Sequence, residues 1–346
     1  MIVQNTDMRI EHTLSIHGMI SKLTTIGFDI TQEIDHLLEK FSCSAISTSL
    51  DADITLQAIS HLEDVPEWVL AAKRNVISRQ ARQMGVVKRL KLNMSLFQDH
   101  DRLVVDLHEH GVLVINWPAG TAHGYLVRPD LMEDRLQSTF YHMSLSELMR
   151  WKGFFIIHGV ALERYGKGVL ITGRPNRGKT TAELSLLRAG YGFISDDFPF
   201  LRDNGHRVEL LAFQDWVDVR EKSVGFFPEL QTIELAPRYE GAKKDSFSVH
   251  DLYPGSQVES CETALILFPQ VVEGRDSYLE PMPKQQVLKE LLPQGLQVHS
   301  PELAKQEFQL YTQLVKQTPC YRLHFGQNRW DLSKLLDPLL EHFVRV

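Results

Sequence analysis

Cysteine is scarce in this chain. Only Cys43, Cys261 and Cys320 occur among 346 residues. They are odd in number, far apart and form no C-x-x-C pair, which argues against a disulfide framework and against a cysteine zinc site. Long apolar runs are missing too: the longest, near residues 154–162 and 264–272, are too short for a bilayer, which needs about 20 residues. The first residues, MIVQNTDMRIEH, lack the apolar segment of a secretory signal. Positive charge is in deficit, with 37 Lys and Arg against 44 Asp and Glu, so the basic face of a nucleic-acid binder is not expected. There is no internal repeat or low-complexity tract. Ser146 and Ser223 have no G-x-S-x-G context, which leaves a serine hydrolase without support. At 43% hydrophobic residues the chain can still bury an ordinary core. The expectation is a cytoplasmic globular protein with neither a nucleic-acid nor a membrane partner.

Apolar periodicity divides the chain unevenly. Residues 1–95 read as an irregular mixture holding two helices, at 29–41 and 65–84. Short strands follow at 102–107, 111–117 and 124–127, then a helix at 138–152 with Phe140, Met143, Leu145, Leu148 and Trp151 as its stripe. His108-Glu109-His110 would place two imidazoles on one strand face, but no third ligand accompanies them. A soft boundary near residue 145 gives an α+β part over 1–145 and a second domain over 146–346. Beyond it, strands are expected at 154–157, 168–172, 191–195, 208–213, 263–268 and 320–325, with a helix at 180–189. The last segment, 331–346, is leucine-rich and amphipathic, with Pro338 a point where a second helix restarts. Strand, glycine loop, helix and strand in succession make a βαβ unit, so the fold class is α/β with a parallel or mixed sheet.

The glycine loop carries the chemistry. Gly173-Arg174-Pro175-Asn176-Arg177-Gly178-Lys179-Thr180 matches G-x-x-x-x-G-K-[ST] and is followed by Thr181. In this P-loop the glycines let the backbone curl so that its N–H groups face phosphate oxygens. Lys179 brings charge to the β- and γ-phosphates, and Thr180 offers a hydroxyl to Mg²⁺. Chance gives such a pattern in roughly one chain of this length per hundred. Asn176 stands where many such loops have another glycine, and Arg174 and Arg177 are either extra phosphate contacts or solvated charges. The cofactors expected are ATP and Mg²⁺.

Two further features bracket the loop. Asp196-Asp197 ends the strand after the P-loop helix, and His158-Gly159 ends the apolar run before it. With Tyr165-Gly166-Lys167-Gly168-Val169-Leu170-Ile171-Thr172-Gly173 and Leu187-Arg188-Ala189-Gly190-Tyr191, this text resembles the bacterial HPr kinase/phosphorylase family over about 50 residues. The resemblance implies a serine kinase whose general base is Asp197, supported by His158, with Lys179 on the phosphates. It implies a metal held by Thr180 together with acidic residues, here Asp196 and Asp218. Asp218 is nominated because Val217-Asp218-Val219-Arg220 is the text closest to the family's metal-binding segment, and Asp215 and Glu221 compete with it. Arg238, Lys243 and Lys244 form a basic stretch that is either phosphate-contacting or solvated. The family's glycine-rich segment is not evident over 221–226, and its phosphorolysis segment is not recognisable. The chain is more similar to diverged HPr-kinase-like proteins, some tied to ribosomal peptide natural products. That implies a serine of a peptide or protein as acceptor, such as a lasso-peptide precursor, and a homo-oligomer. A small-molecule hydroxyl kinase and an ATPase without acceptor are the competing readings.

Overall fold

The computed structural model describes residues 8–43, 49–77, 82–83, 94–99, 101–237, 242 and 244–344. The chain divides into two compact units: Met1–Lys152 with Val298–Pro301, and Gly153–Gln297 with Glu302–Val346.

The first unit is built on an eight-stranded sheet. Along the chain come β1 (Arg9–Ile16), β2 (Met19–Ile26), helix α1 (Gln32–Phe41), β3 (Ala52–Ile59), α2 (Glu67–Ile77), β4 (Arg82–Gln83), β5 (Ser95–Asp99), β6 (Arg102–Asp106), β7 (Gly111–Asn116), β8 (Thr121–Val127) and α3 (Asp134–Trp151). The spatial order is β1-β2-β3-β8-β7-β6-β5-β4. The β1–β2 hairpin had no counterpart in the sequence reading, because Ser21, Thr24 and Thr25 of β2 are buried although polar. The second helix is described as far as Ile77, and Arg82–Gln83, inside the helix expected over 65–84, pairs with β5 as a strand. His108–His110 is a 3-10 turn, not a strand, so the two imidazoles do not share a strand face. Helix α3 packs on β3, β7 and β8. Gly124 lets it approach, since a Cβ there would stand 2.7 Å from Leu56 and 3.3 Å from Phe140.

The second unit is mixed α/β. Its strands are β9 (Phe155–Ile156), β10 (Gly159–Arg164), β11 (Lys167–Thr172), β12 (Gly192–Ser195), β13 (Phe200–Asp203), β14 (Val208–Leu211), β15 (Trp216–Val219), β16 (Asp245–Ser248), β17 (Ser260–Val271), β18 (Tyr278–Pro281) and β19 (Cys320–Phe325). Its helices are α4 (Lys179–Arg188), α5 (Glu221–Val224), α6 (Val249–Leu252), α7 (Lys284–Leu291), α8 (Pro301–Gln317) and α9 (Leu332–Val344). The main sheet runs β12-β10-β11-β17-β14-β13-β9, with β19 added on β17 and β18 on β19. β11, β17 and β19 are parallel, whereas β10 is antiparallel to both β11 and β12. The βαβ crossover through α4 therefore steps over one antiparallel strand.

β11 shows why this sheet is buried on both faces. Val169 and Ile171 join a core cluster with Ala182 and Leu186 of α4 and Leu336 of α9. Leu170 points the other way, among Val287 of α7 and Leu314 of α8. Such a strand reads as a continuous apolar run rather than as an alternation. Helix α9 runs through Pro338 without restarting. Leu332, Leu336 and Leu340 are buried in this unit's own core.

Candidate functional site

The site begins where β11 gives out. Thr172 is buried and donates its hydroxyl to the carbonyl of His158 at 2.8 Å, and the chain then turns outward at Gly173. Arg174 to Arg177 are exposed. Asn176 has φ 62°, in the left-handed region that asparagine enters far more readily than most residues, which is why it serves where other loops carry glycine. Gly178 has φ 102° and hands the chain to α4. Lys179, Thr180 and Thr181 form that helix's first turn, whose N–H groups have no acceptor within the helix and suit an anion. The Lys179 ammonium lies back across the loop, 2.8 Å from the Gly173 carbonyl.

Beside the loop stands a group of carboxyls brought together by three elements. Asp196 follows β12, Asp218 lies on β15, and Glu183 projects from α4, four residues after Lys179. Asp196 is buried. Its Oδ1 accepts the Asp197 N–H at 2.8 Å and its Oδ2 the Asp218 N–H at 3.2 Å. Burial, then the Asp197 and Asp218 charges, push its pKa up to about 8, with Lys244 opposing. Glu183 is wholly buried, and neither carboxylate oxygen has a hydrogen-bond partner. Burial, with Asp196 and Asp197 adding to it, raises its carboxyl well above the usual range. Lys244 sits 3.5 Å from Asp218 Oδ2. Burial pulls its pKa down, but Asp197, Asp218 and Asp196 outweigh this and leave it raised. Ser246 donates to Asp218 Oδ1 at 2.7 Å.

Asp197 has a different posture. Its backbone is left-handed, φ 59°, and its carbonyl accepts the Gly159 N–H at 3.2 Å, which ties it to the start of β10. A non-glycine residue in this conformation carries strain of about 1–3 kcal/mol, a condition that gathers at functional positions. Its Oδ1 stands 3.5 Å from Nδ1 of His158. The His158 N–H is in turn held by the Gln294 carbonyl at 2.8 Å.

The structure thus gathers Asp196, Asp197, Asp218 and His158 around shared contacts, with the loop residues one strand away. Asp215 offers its carbonyl to Val249, and Glu221 is exposed at the start of α5. Arg238 and Lys243 lie outside the described residues. Glu183 escaped the sequence reading, although a glutamate between Ala182 and Leu184 on an apolar helix face is a visible anomaly.

Among the described residues no three His, Cys, Asp or Glu side chains form a cage for a metal ion. Mg²⁺ does not need one, because it is ordinarily held by one or two carboxylates with water and phosphate oxygens. The acidic group around Asp196, with Lys244 beside it, fits such an ion chemically. The curled loop fits a phosphate chain.

No family model matches the chain. Curated relatives do. The HPr kinase/phosphorylase of Chlorobium luteolum is 38% identical over 55 residues, which is 16% of this chain and 17% of the relative. That of Stenotrophomonas maltophilia is 37% identical over 98 residues, 27% of this chain and 29% of the relative. The chain therefore spans less than a third of the length of these relatives. The solved HPr(Ser) kinase/phosphatase from Coxiella burnetii covers 55% of this chain and 93% of its own at 15% identity, with a TM-score of 0.29, too low to argue from shape. In the stretches it shares with its curated relatives, the sequence is HPr-kinase-like.

Proposed function

We propose that this HPr-kinase-like chain is an ATP-dependent serine kinase acting on a peptide or protein. The observation that carries the reading is Asp197. Its carboxylate is fixed by a left-handed turn, 3.5 Å from an imidazole and at the end of the strand that follows the P-loop helix. Phosphoryl transfer asks a protein mainly for positioning and charge neutralisation, plus one group to orient the nucleophile.

In this reading the amides from Gly173 to Thr181 hold the phosphates and Lys179 leaves the Gly173 carbonyl for the β- and γ-oxygens. Thr180, Asp196 and Asp218 would hold Mg²⁺. A bound Mg-ATP supplies the phosphoryl group and the charge that eases its transfer. Asp197 accepts the proton of the serine hydroxyl as the serine oxygen bonds to the γ-phosphorus and the bond to the ADP oxygen breaks. His158 keeps the Asp197 carboxylate turned toward the acceptor. Asp196, whose carboxyl burial and the neighbouring acids hold well above the usual range, would have to be ionised to ligate the ion. Burial and the neighbouring acids disfavour a further charge on Glu183.

A cytoplasmic setting without membrane or nucleic-acid partner belongs to the same proposal, and among the described residues no helix is long and apolar enough to cross a membrane. The homo-oligomer is proposed on the family resemblance, and Leu332, Leu336 and Leu340 of α9 are buried in the unit's own core. The decisive test combines Mg-ATP binding with mass spectrometry of serine peptides for wild type, Asp197→Asn and Asp196→Asn. Asp197→Asn should lose transfer while keeping nucleotide affinity. Phosphorylation of a free sugar or amino acid and of no peptide would favour the small-molecule reading. ATP hydrolysis with no phosphorylated product would favour the ATPase.

A further inference from the structure

A second feature lies against the P-loop, on the side away from α4. It is a pocket of about 550 Å³ between the loop, the ends of β17 and β19, and helix α7. That is within the ordinary range for a ligand site. Its walls carry Arg174 and Arg177 from the loop, Lys289 from α7 and Arg322 from β19, against a single carboxylate, Glu290. Such a concentration of positive charge is unexpected in a chain of net charge −7. Arg322 is not adrift there. Both of its terminal nitrogens bind the Glu290 carboxylate, one at 2.9 Å, and the guanidinium lies 5.8 Å over the Phe268 ring. The pairing fixes the direction of the fork.

The pocket offers a nucleotide base no platform. Phe268 is its only aromatic lining residue among those described, and it is fully buried beneath Arg322, so no ring is open for stacking. Lys289 and Arg322 come from elements outside the loop that would hold the phosphates. The pocket also has a second border. Gln294 lines it, and the Gln294 carbonyl holds the N–H of His158, the neighbour of Asp197. A ligand seated here touches the phosphate loop at one end and, at the other, Gln294, which holds the His158 that faces the Asp197 carboxylate. The acceptor has to come within reach of both places.

We infer that this pocket binds the acceptor and selects peptides with acidic side chains beside the serine. The inference rests on the serine-kinase reading for the identity of the acceptor, and on the pocket's charge for its chemistry. Charge complementarity of this kind gives specificity and on-rate, and salt weakens it.

The test is binding before transfer. Two fluorescent, C-terminally amidated peptides carry one serine, flanked in the first by glutamates and in the second by glutamines. Their anisotropy is titrated with the full chain, Mg²⁺ and a non-hydrolysable ATP analogue. The glutamate peptide should bind about tenfold tighter, the scale of two or three partly exposed ion pairs acting together. Lys289 is exposed, and in Lys289→Gln the preference should fall below about threefold, with Lys289→Glu lowering it further. Equal binding of the two peptides by wild type would overturn the inference. So would a loss of analogue affinity in Lys289→Gln as large as the loss of peptide affinity, which would make this a nucleotide pocket. The kinase reading fails differently: the glutamate peptide would bind selectively but receive no phosphoryl group from Mg-ATP.

Discussion

Glu147 in the first unit and Glu183 in the second are both buried on helices, yet their surroundings treat them in opposite ways. Glu147 meets His299 Nε2 at 3.1 Å and Arg150 Nη1 at 3.7 Å. Burial pushes its carboxyl up, but His299 and Arg150 outweigh that and leave the pKa below the usual range. Glu183 meets other acids, has no hydrogen-bond partner for either oxygen, and is raised. A buried acid with a guanidinium and an imidazole of its own completes a structural network. A buried acid set among like charges is an unresolved cost, and such costs gather at functional sites.

The sharpest way to break this contrast is to remove the charge that the acidic side is built to serve. Lys179→Ala should reduce nucleotide-dependent activity to background, a fall of about 10³-fold or more, since transition-state charge is then left unneutralised. Unchanged ATP turnover in a folded variant would remove the P-loop from the mechanism. Next in size, Asp197→Asn should cut transfer by about 10²–10⁴-fold, the scale of general base catalysis, with Mg-ATP affinity little altered. Binding and rate falling together, with rescue by added Mg²⁺, would instead make Asp197 a metal ligand.

The glutamates themselves should separate in stability. Glu147→Ala leaves Arg150 and His299 buried without their anion and should cost about 3–5 kcal/mol, read as a loss in chemical denaturation. Glu183→Gln gives up only the attraction of Lys244 while relieving the repulsion of Asp196, Asp197 and Asp218, and should be neutral or slightly stabilising. Equal losses in the two variants would erase the distinction.

The last contrast is in pH. Asp196 has a folded pKa near 8 against 3.8 when exposed, so between these values the native state holds a proton that the unfolded state has released. Stability should therefore fall as pH rises from about 4 to 8, and the slope should flatten in Asp196→Asn. Glu147 acts in the other direction: its lowered pKa contributes stability that is present above about 4.5 and lost as pH falls below it. Thermal melts of wild type and Asp196→Asn across this range are the check.

Legibility in the sequence followed distance along the chain. The P-loop is eight consecutive residues, and Asp196-Asp197 lies one helix and one strand beyond it, so both could be read directly. The strands around the loop were equally plain, because a sheet covered on both faces writes itself as apolar runs such as Val169-Leu170-Ile171. The function of Glu183 was hidden because its meaning depends on Asp196, Asp218 and Lys244, which reach it through separate strands or loops. His299 and Glu147 are nearly half a chain apart, and nothing local marks their pairing. The β1–β2 hairpin was obscured by buried Ser21, Thr24 and Thr25, which look like surface residues on paper. The pocket at Arg322 is assembled from a loop, a helix and two strands, and no linear pattern announces it.

The left-handed turn at Asp197 sets its own filter on variation. In a saturation library screened for activity, two requirements at that position could be scored separately. Glycine would satisfy the dihedral angle and lack the acid, glutamate would bring the acid and strain the turn, and asparagine would meet the angle and size without the basicity. The ranking of these three clones would report whether shape or proton affinity is the scarcer commodity at this codon, without any purified substrate being known in advance.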